Sequence, residues 1–84
     1  MGRLLIIAHE FHHVEYYARE VLRIPRSGWK FISNQWDLQS HVECEVILIE
    51  APRHKPTARQ LENRCLLNEI CSARRIEVKR VELP

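Results

Sequence analysis

The chain has 84 residues, 45% of them hydrophobic and 29% charged, with 13 Lys and Arg against 11 Asp and Glu. That length holds one domain around one small core, and that composition excludes a disordered chain. A net charge of +2 is too balanced to point to nucleic acid or a membrane surface, and the longest purely apolar run, residues 4–8, is too short to span a bilayer.

Residues 3–9 (RLLIIAH) make a continuous apolar, β-rich run, the pattern of a strand buried on both faces. Over residues 10–23 the period becomes helical. Phe11, Val14, Tyr17, Ala18, Val21 and Leu22 recur on one face, with His12, Tyr16, Arg19 and Arg23 opposite. Glu10 and Arg23 suit the two ends of the helix dipole. Pro25 and the Ser27–Gly28 pair stop this helix and turn the chain. Residues 29–33 (WKFIS) read as a short strand. Residues 34–40 (NQWDLQS) are turn-prone, with room for one helical turn anchored by Trp36 and Leu38. Residues 45–50 (EVILIE) are a second continuous apolar run, placed at the sheet centre beside the first.

Thr57 with Gln60 three residues later is a capping-box signature, opening a helix over residues 58–75. The last segment, residues 76–83 (IEVKRVEL), alternates, but its apolar positions change phase between Val78 and Val81. That predicts a bulge or a half-exposed edge strand. The predicted fold class is therefore α/β. It is a single small Rossmann-like domain over residues 1–84, with a mostly parallel four-stranded sheet in flavodoxin-like order 2-1-3-4 and two main helices.

His9-Glu10-Phe11-His12-His13 matches the H-E-x-x-H pattern of zinc proteases, in which two histidines one helical turn apart bind metal and the glutamate activates water. On that reading His9 and His13 are ligands and Glu10 is the general base of a zinc-dependent hydrolase. Against it, the residues before His9 read as a strand, so His9 belongs at a strand end rather than one turn below His13. No third ligand motif follows. The expectation is that the segment holds no metal and that the chain uses no cofactor. His9, Glu10, His12 and His13 still mark a possible ligand edge, because open α/β sheets bind ligands beyond their strands' carboxyl ends. Residues 50–54 are expected at the other such edge. The first strand–helix turn carries no glycine and no phosphate-binding loop motif, so nucleotide binding of the usual kind is not expected.

The cysteines, Cys44, Cys65 and Cys71, show no CxxC spacing and predict neither a disulfide framework nor a zinc knuckle. Cys65 and Cys71 stand among Leu and Ile, where free thiols act as small apolar side chains. A pairing of Cys44 with His41 as a nucleophile has spacing alone in its favour. With no signal-peptide pattern, a cytoplasmic setting is expected.

The second helix has apolar residues in three directions: Ala58, Leu61 and Cys65; Leu66, Ile70 and Ala73; Leu67 and Cys71. One stripe is enough to cover a sheet. Leu61, Leu66, Leu67, Ile70 and Cys71 are accordingly the predicted interaction surface, facing a second copy or a heterologous protein. A nucleic-acid-binding role through Arg53, Lys55, Arg74, Arg75, Lys79 and Arg80 is a further alternative that the scattered charges do not favour.

RLLIIAH, VEYYAREVL and WKFIS, with the leucine-bearing turn after them, resemble small orphan proteins encoded by bacteriophages of actinobacteria. Those in turn resemble Rossmann-like or degenerate P-loop domains that have lost their phosphate-binding glycines. The resemblance covers roughly residues 3–50. It implies no catalytic residues. It does imply a non-enzymatic accessory protein acting by protein–protein interaction, in the host cytoplasm if phage-encoded.

Overall fold

A computed structural model of the chain describes residues 4–39 and 45–83. Its elements in chain order are β1 (Leu4–Ile7), α1 (Phe11–Tyr17), β2 (Trp29–Ile32), α2 (Gln35–Gln39), β3 (Val46–Glu50), α3 (Ala58–Ala73) and β4 (Val78–Glu82). The strands form one sheet in the order β2-β1-β3-β4, every neighbouring pair parallel. The predicted order is observed, and the sheet is wholly rather than mostly parallel.

The two apolar runs are the two central strands because only there are both faces covered. Leu5 and Ile7 of β1, with Val46 and Leu48 of β3, join Leu67 and Cys71 of α3 and Leu38 of α2 in one core layer. Ile6, Ala8, Ile47 and Ile49 project to the other face, onto Val14, Tyr17 and Ala18. Period-two alternation thus feeds two cores from each strand. Among the described residues no polar or charged side chain is buried.

β4 resolves the phase change in the last segment. It pairs with β3 without a bulge, from Val46↔Val78 to Glu50↔Glu82. Val78 packs on the α3 side and Val81 on the α1 side. An edge strand in contact with both cores needs apolar residues of both parities, and its charged positions protect the open edge.

Three apolar side chains depart from their expected places. α1 is regular only to Tyr17 and continues as a π turn over Ala18–Leu22, ending at Arg23 in the left-handed region (φ 54°). The wider turn moves Val21 out of the expected stripe and leaves it exposed. Phe11 is also exposed, yet its ring lies over the edge strand, 5.7 Å from the Trp29 ring and 5.6 Å from that of Phe31. The Arg26 guanidinium closes this aromatic group 4.1 Å above Trp29. In α2, Asn34 caps the helix by accepting from the Trp36 and Asp37 amides at 3.0 and 3.2 Å. That start directs Leu38 into the core and Trp36, two positions earlier, outward, with 68% of its surface exposed. Trp36 is therefore not the anchor its apolar character predicted.

Candidate functional site

The sheet-facing stripe of α3 positions the site. Leu67 and Cys71 point into the core at 1% and 4% exposure. One and two turns earlier on the same stripe stand Arg64 and Gln60. These polar residues lie at the carboxyl end of the sheet, because α3 begins where β3 has just ended. Two members of the predicted interaction surface are corrected by this placement: Leu67 and Cys71 are core residues, buried against the sheet. Their selection followed from the weak contrast between the faces of α3, which hid the stripe that meets the sheet. Ile70 is half-buried against the same core, Leu66 is half-buried and Leu61 is exposed. Cys65, expected among apolar neighbours, is exposed as well. Burial pushes the Cys71 thiol up from its ordinary range, as suits an inert packing group. Cys44 and His41 lie outside the described residues.

Gln60 joins the two strand–helix turns. The capping box with Thr57 is present: the Gln60 amide donates to Thr57 Oγ1 (3.1 Å) and the Thr57 amide to Gln60 Oε1 (3.0 Å). The same Oε1 accepts from His54 Nε2 at 3.1 Å, which sets His54 as the Nε2–H tautomer. Gln60 Nε2 then donates to the His9 carbonyl at 3.1 Å and to Glu10 Oε1 at 2.8 Å. One side chain thus ties the β1–α1 turn to the β3–α3 turn. In the order 2-1-3-4 the crevice between β1 and β3 is the topological switch point, where such folds take their ligands. Here a side-chain amide spans it, beside a turn that lacks glycine.

The histidines gather around this bridge. His9 and His54 rings are 5.7 Å apart, His13 and His54 5.2 Å, and His12 and His13 4.3 Å. The two ligand edges expected separately, residues 9–13 and 50–54, are therefore one edge, since β1 and β3 are neighbours. Glu10 has an extended backbone (φ −129°, ψ 143°) and caps α1 without a side-chain bond. Its carboxylate instead lies beside Gln60 and 3.8 Å from His54 Nε2. Consequently His9 precedes the helix and His13 lies within it, so the pair lacks the one-turn spacing that H-E-x-x-H needs. Among the described residues, no three His, Cys, Asp or Glu side chains are placed to hold a metal ion.

Burial, followed by the nearby Arg64, His54 and His13 charges, holds the His9 pKa down. Burial and then His12 and His54 do the same for His13, whose buried Nδ1 has no hydrogen-bond partner among the described residues. The Gln60 hydrogen bond keeps Glu10 below the usual carboxylate range. All three shifts have one sign for stability. The unfolded chain takes protons first, so stability present at neutral pH is lost as pH falls below the ordinary histidine value of 6.5. The Glu10 contribution goes at lower pH, as its carboxylate protonates. Urea midpoints measured from about pH 7 to about pH 5 are expected to decline, and more shallowly in His13→Gln. A pH-independent midpoint in the wild type would contradict this arrangement.

Next to the bridge, towards β4, opens a cleft of about 460 Å³, lined by His9, Glu50, Pro52, His54, Arg64 and Glu82. Arg64 donates to the Ile49 carbonyl at 3.4 Å, and Arg80 pairs with Glu50 Oε1 at 3.2 Å. Gln60 and Arg64 are not legible as site residues in the sequence, because each reads as an ordinary polar position on a helix. Their spacing back from Leu67 was the available signal.

The fold and this edge define a small doubly wound α/β domain whose switch point is bridged by its own side chain. No protein-family model, curated protein or solved structure matches the chain.

Proposed function

We propose that the protein is a non-enzymatic accessory module that acts by protein–protein contact, with a second copy of itself as the partner and the α2–α3 side as the contact face. The carrying observation is Trp36, a large apolar side chain left 68% exposed on a chain with little core to spare. Leu61, 51% exposed, adds apolar surface on α3, which packs against α2. Trp is a frequent energetic anchor of interfaces. A four-stranded sheet of this size also gains stability from association. Two further observations support contact over chemistry: the bridged, glycine-free switch point, and an H-E-x-x-H segment without its helical spacing. Resemblance to phage-encoded accessory proteins agrees with such a role.

The basic clusters favour this reading over nucleic-acid binding. Residues 53–55 precede α3 and residues 74–75 follow it, so its 16 residues hold them about 24 Å apart. In light scattering the untagged wild type should have the mass of two or more chains. Trp36→Glu combined with Leu61→Asp should have the mass of one, with an unchanged circular dichroism spectrum. A monomeric wild type, or a double variant still assembled, would overturn the proposal.

A further inference from the structure

The cleft beside Gln60 has features the contact face does not use. It opens beyond the carboxyl ends of β1, β3 and β4, the side on which open α/β sheets bind small ligands. Its charges come in fixed positions. Glu50 and Glu82 are register partners at the ends of β3 and β4. Val46 and Leu48 share the parity of Glu50, and Val78 that of Glu82, and these apolar residues face α3. Arg64 stands on the stripe of α3 that faces them. Arg80 occupies Glu50, while the Glu82 side chain stands exposed at the end of β4. With Glu50 taken by Arg80 from outside the lining, Arg64 and Glu82 are the two opposite charges left to a ligand, and Pro52 and Pro56 form a short apolar wall.

We propose that this cleft binds a free α-amino acid, its carboxylate at Arg64, its ammonium at Glu82 and its side chain along Pro52 and Pro56. The reasoning is charge matching. A ligand with net charge leaves one of the two balanced signs desolvated and unpaired, whereas a compact zwitterion satisfies an arginine and a glutamate together. Bulky residues in the β1–α1 turn and the Gln60 bridge keep phosphates from the helix N-termini, so the anionic end of the ligand depends on side chains. Burial lowers the Arg64 pKa, which marks a guanidinium partly stripped of water, and such a group gains most from a carboxylate partner.

The probe is leucine, compared with 3-methylbutylamine and 4-methylpentanoate, which keep its carbon chain but lack the carboxylate and the amine respectively. Each is titrated into the isotope-labelled protein and followed by amide resonances. Leucine should shift Ala51, His54, Arg64 and Glu82 saturably, and each half-ligand should bind at least about tenfold more weakly. Glu82→Gln, an exposed change at a sheet edge, should lose a similar factor while keeping the wild-type spectrum elsewhere. Arg64→Gln should lose affinity for leucine and 4-methylpentanoate but little for the amine. Equal shifts from all three probes, none from any, displacement of leucine by inorganic phosphate, or a folded Glu82→Gln with unchanged affinity would each overturn the proposal. Leucine binding that persists in the Trp36→Glu, Leu61→Asp variant would separate this site from the contact face.

Discussion

Leu67→Asp is expected to abolish cooperative folding, whereas Leu61→Asp on the same helix leaves the stability of a single chain within about 0.5 kcal/mol. The two leucines look alike in sequence and differ completely in surroundings. Leu67 is 1% exposed and packs in the layer with Leu5, Ile7, Ile32, Val46 and Leu48, while Leu61 is 51% exposed. Truncation alone, Leu67→Ala, should cost about 2–5 kcal/mol through lost burial and the cavity left behind. A carboxylate there adds the cost of a charge buried in an apolar layer. Domains this small sit near the lower end of an overall stability scale of about 5–15 kcal/mol, so the sum leaves no folded population. Urea unfolding followed by circular dichroism checks this. A cooperative transition in Leu67→Asp would show that α3 does not pack on the sheet by this stripe.

The second large effect is expected from Gln60→Glu, which is nearly isosteric and removes the two amide donors. At neutral pH the new carboxylate would face Glu10 Oε1, which now lies 2.8 Å from Gln60 Nε2, and leave the His9 carbonyl without its donor. Two lost hydrogen bonds and a like-charge contact, softened by exposure, should bring the urea midpoint clearly below that of the wild type. The pH dependence should invert part of the wild-type trend. On acidification the introduced carboxyl group takes up a proton and regains a donor, so the gap between variant and wild type narrows. Gln60→Ala should be destabilised as well, but with no such narrowing. Paired urea midpoints across the acid range measure both. A gap that stays constant with pH in Gln60→Glu would mean that Gln60 acts only as a helix cap.

The parts of the fold carried by backbone periodicity were legible in the residues. Two unbroken apolar runs, each followed by a helix, define a parallel core, and the strand order follows from crossover rules. The Thr57–Gln60 capping box marked the start of α3 within a residue. Facing was less legible. On α3 the apolar residues are scattered widely enough that the sheet-facing stripe is set by the tertiary fit of Leu67 and Cys71, not by the helix's own pattern. On α1 the π turn alters the phase after Tyr17, and nothing in the residue types of 18–22 announces it. The site was legible only in part. His9 to His13 were found from a motif that proved to straddle a turn and a helix, whereas Gln60 and Arg64 matter through neighbours 50 and 15 positions away in sequence. Contacts of that range depend on strand order, and become visible once β1 and β3 are placed side by side.

The proposed contact between copies runs through the side that carries Trp36 and Leu61. Its most direct test is a dilution series of the isotope-labelled protein, following the Trp36 indole Nε1–H and the amides of α2 and α3. On dilution those signals should move together along one binding curve while the signals of β1, β3 and the His9–His13 turn stay fixed. Signals of α2 and α3 that do not respond, or a concentration dependence centred on another surface, would contradict it.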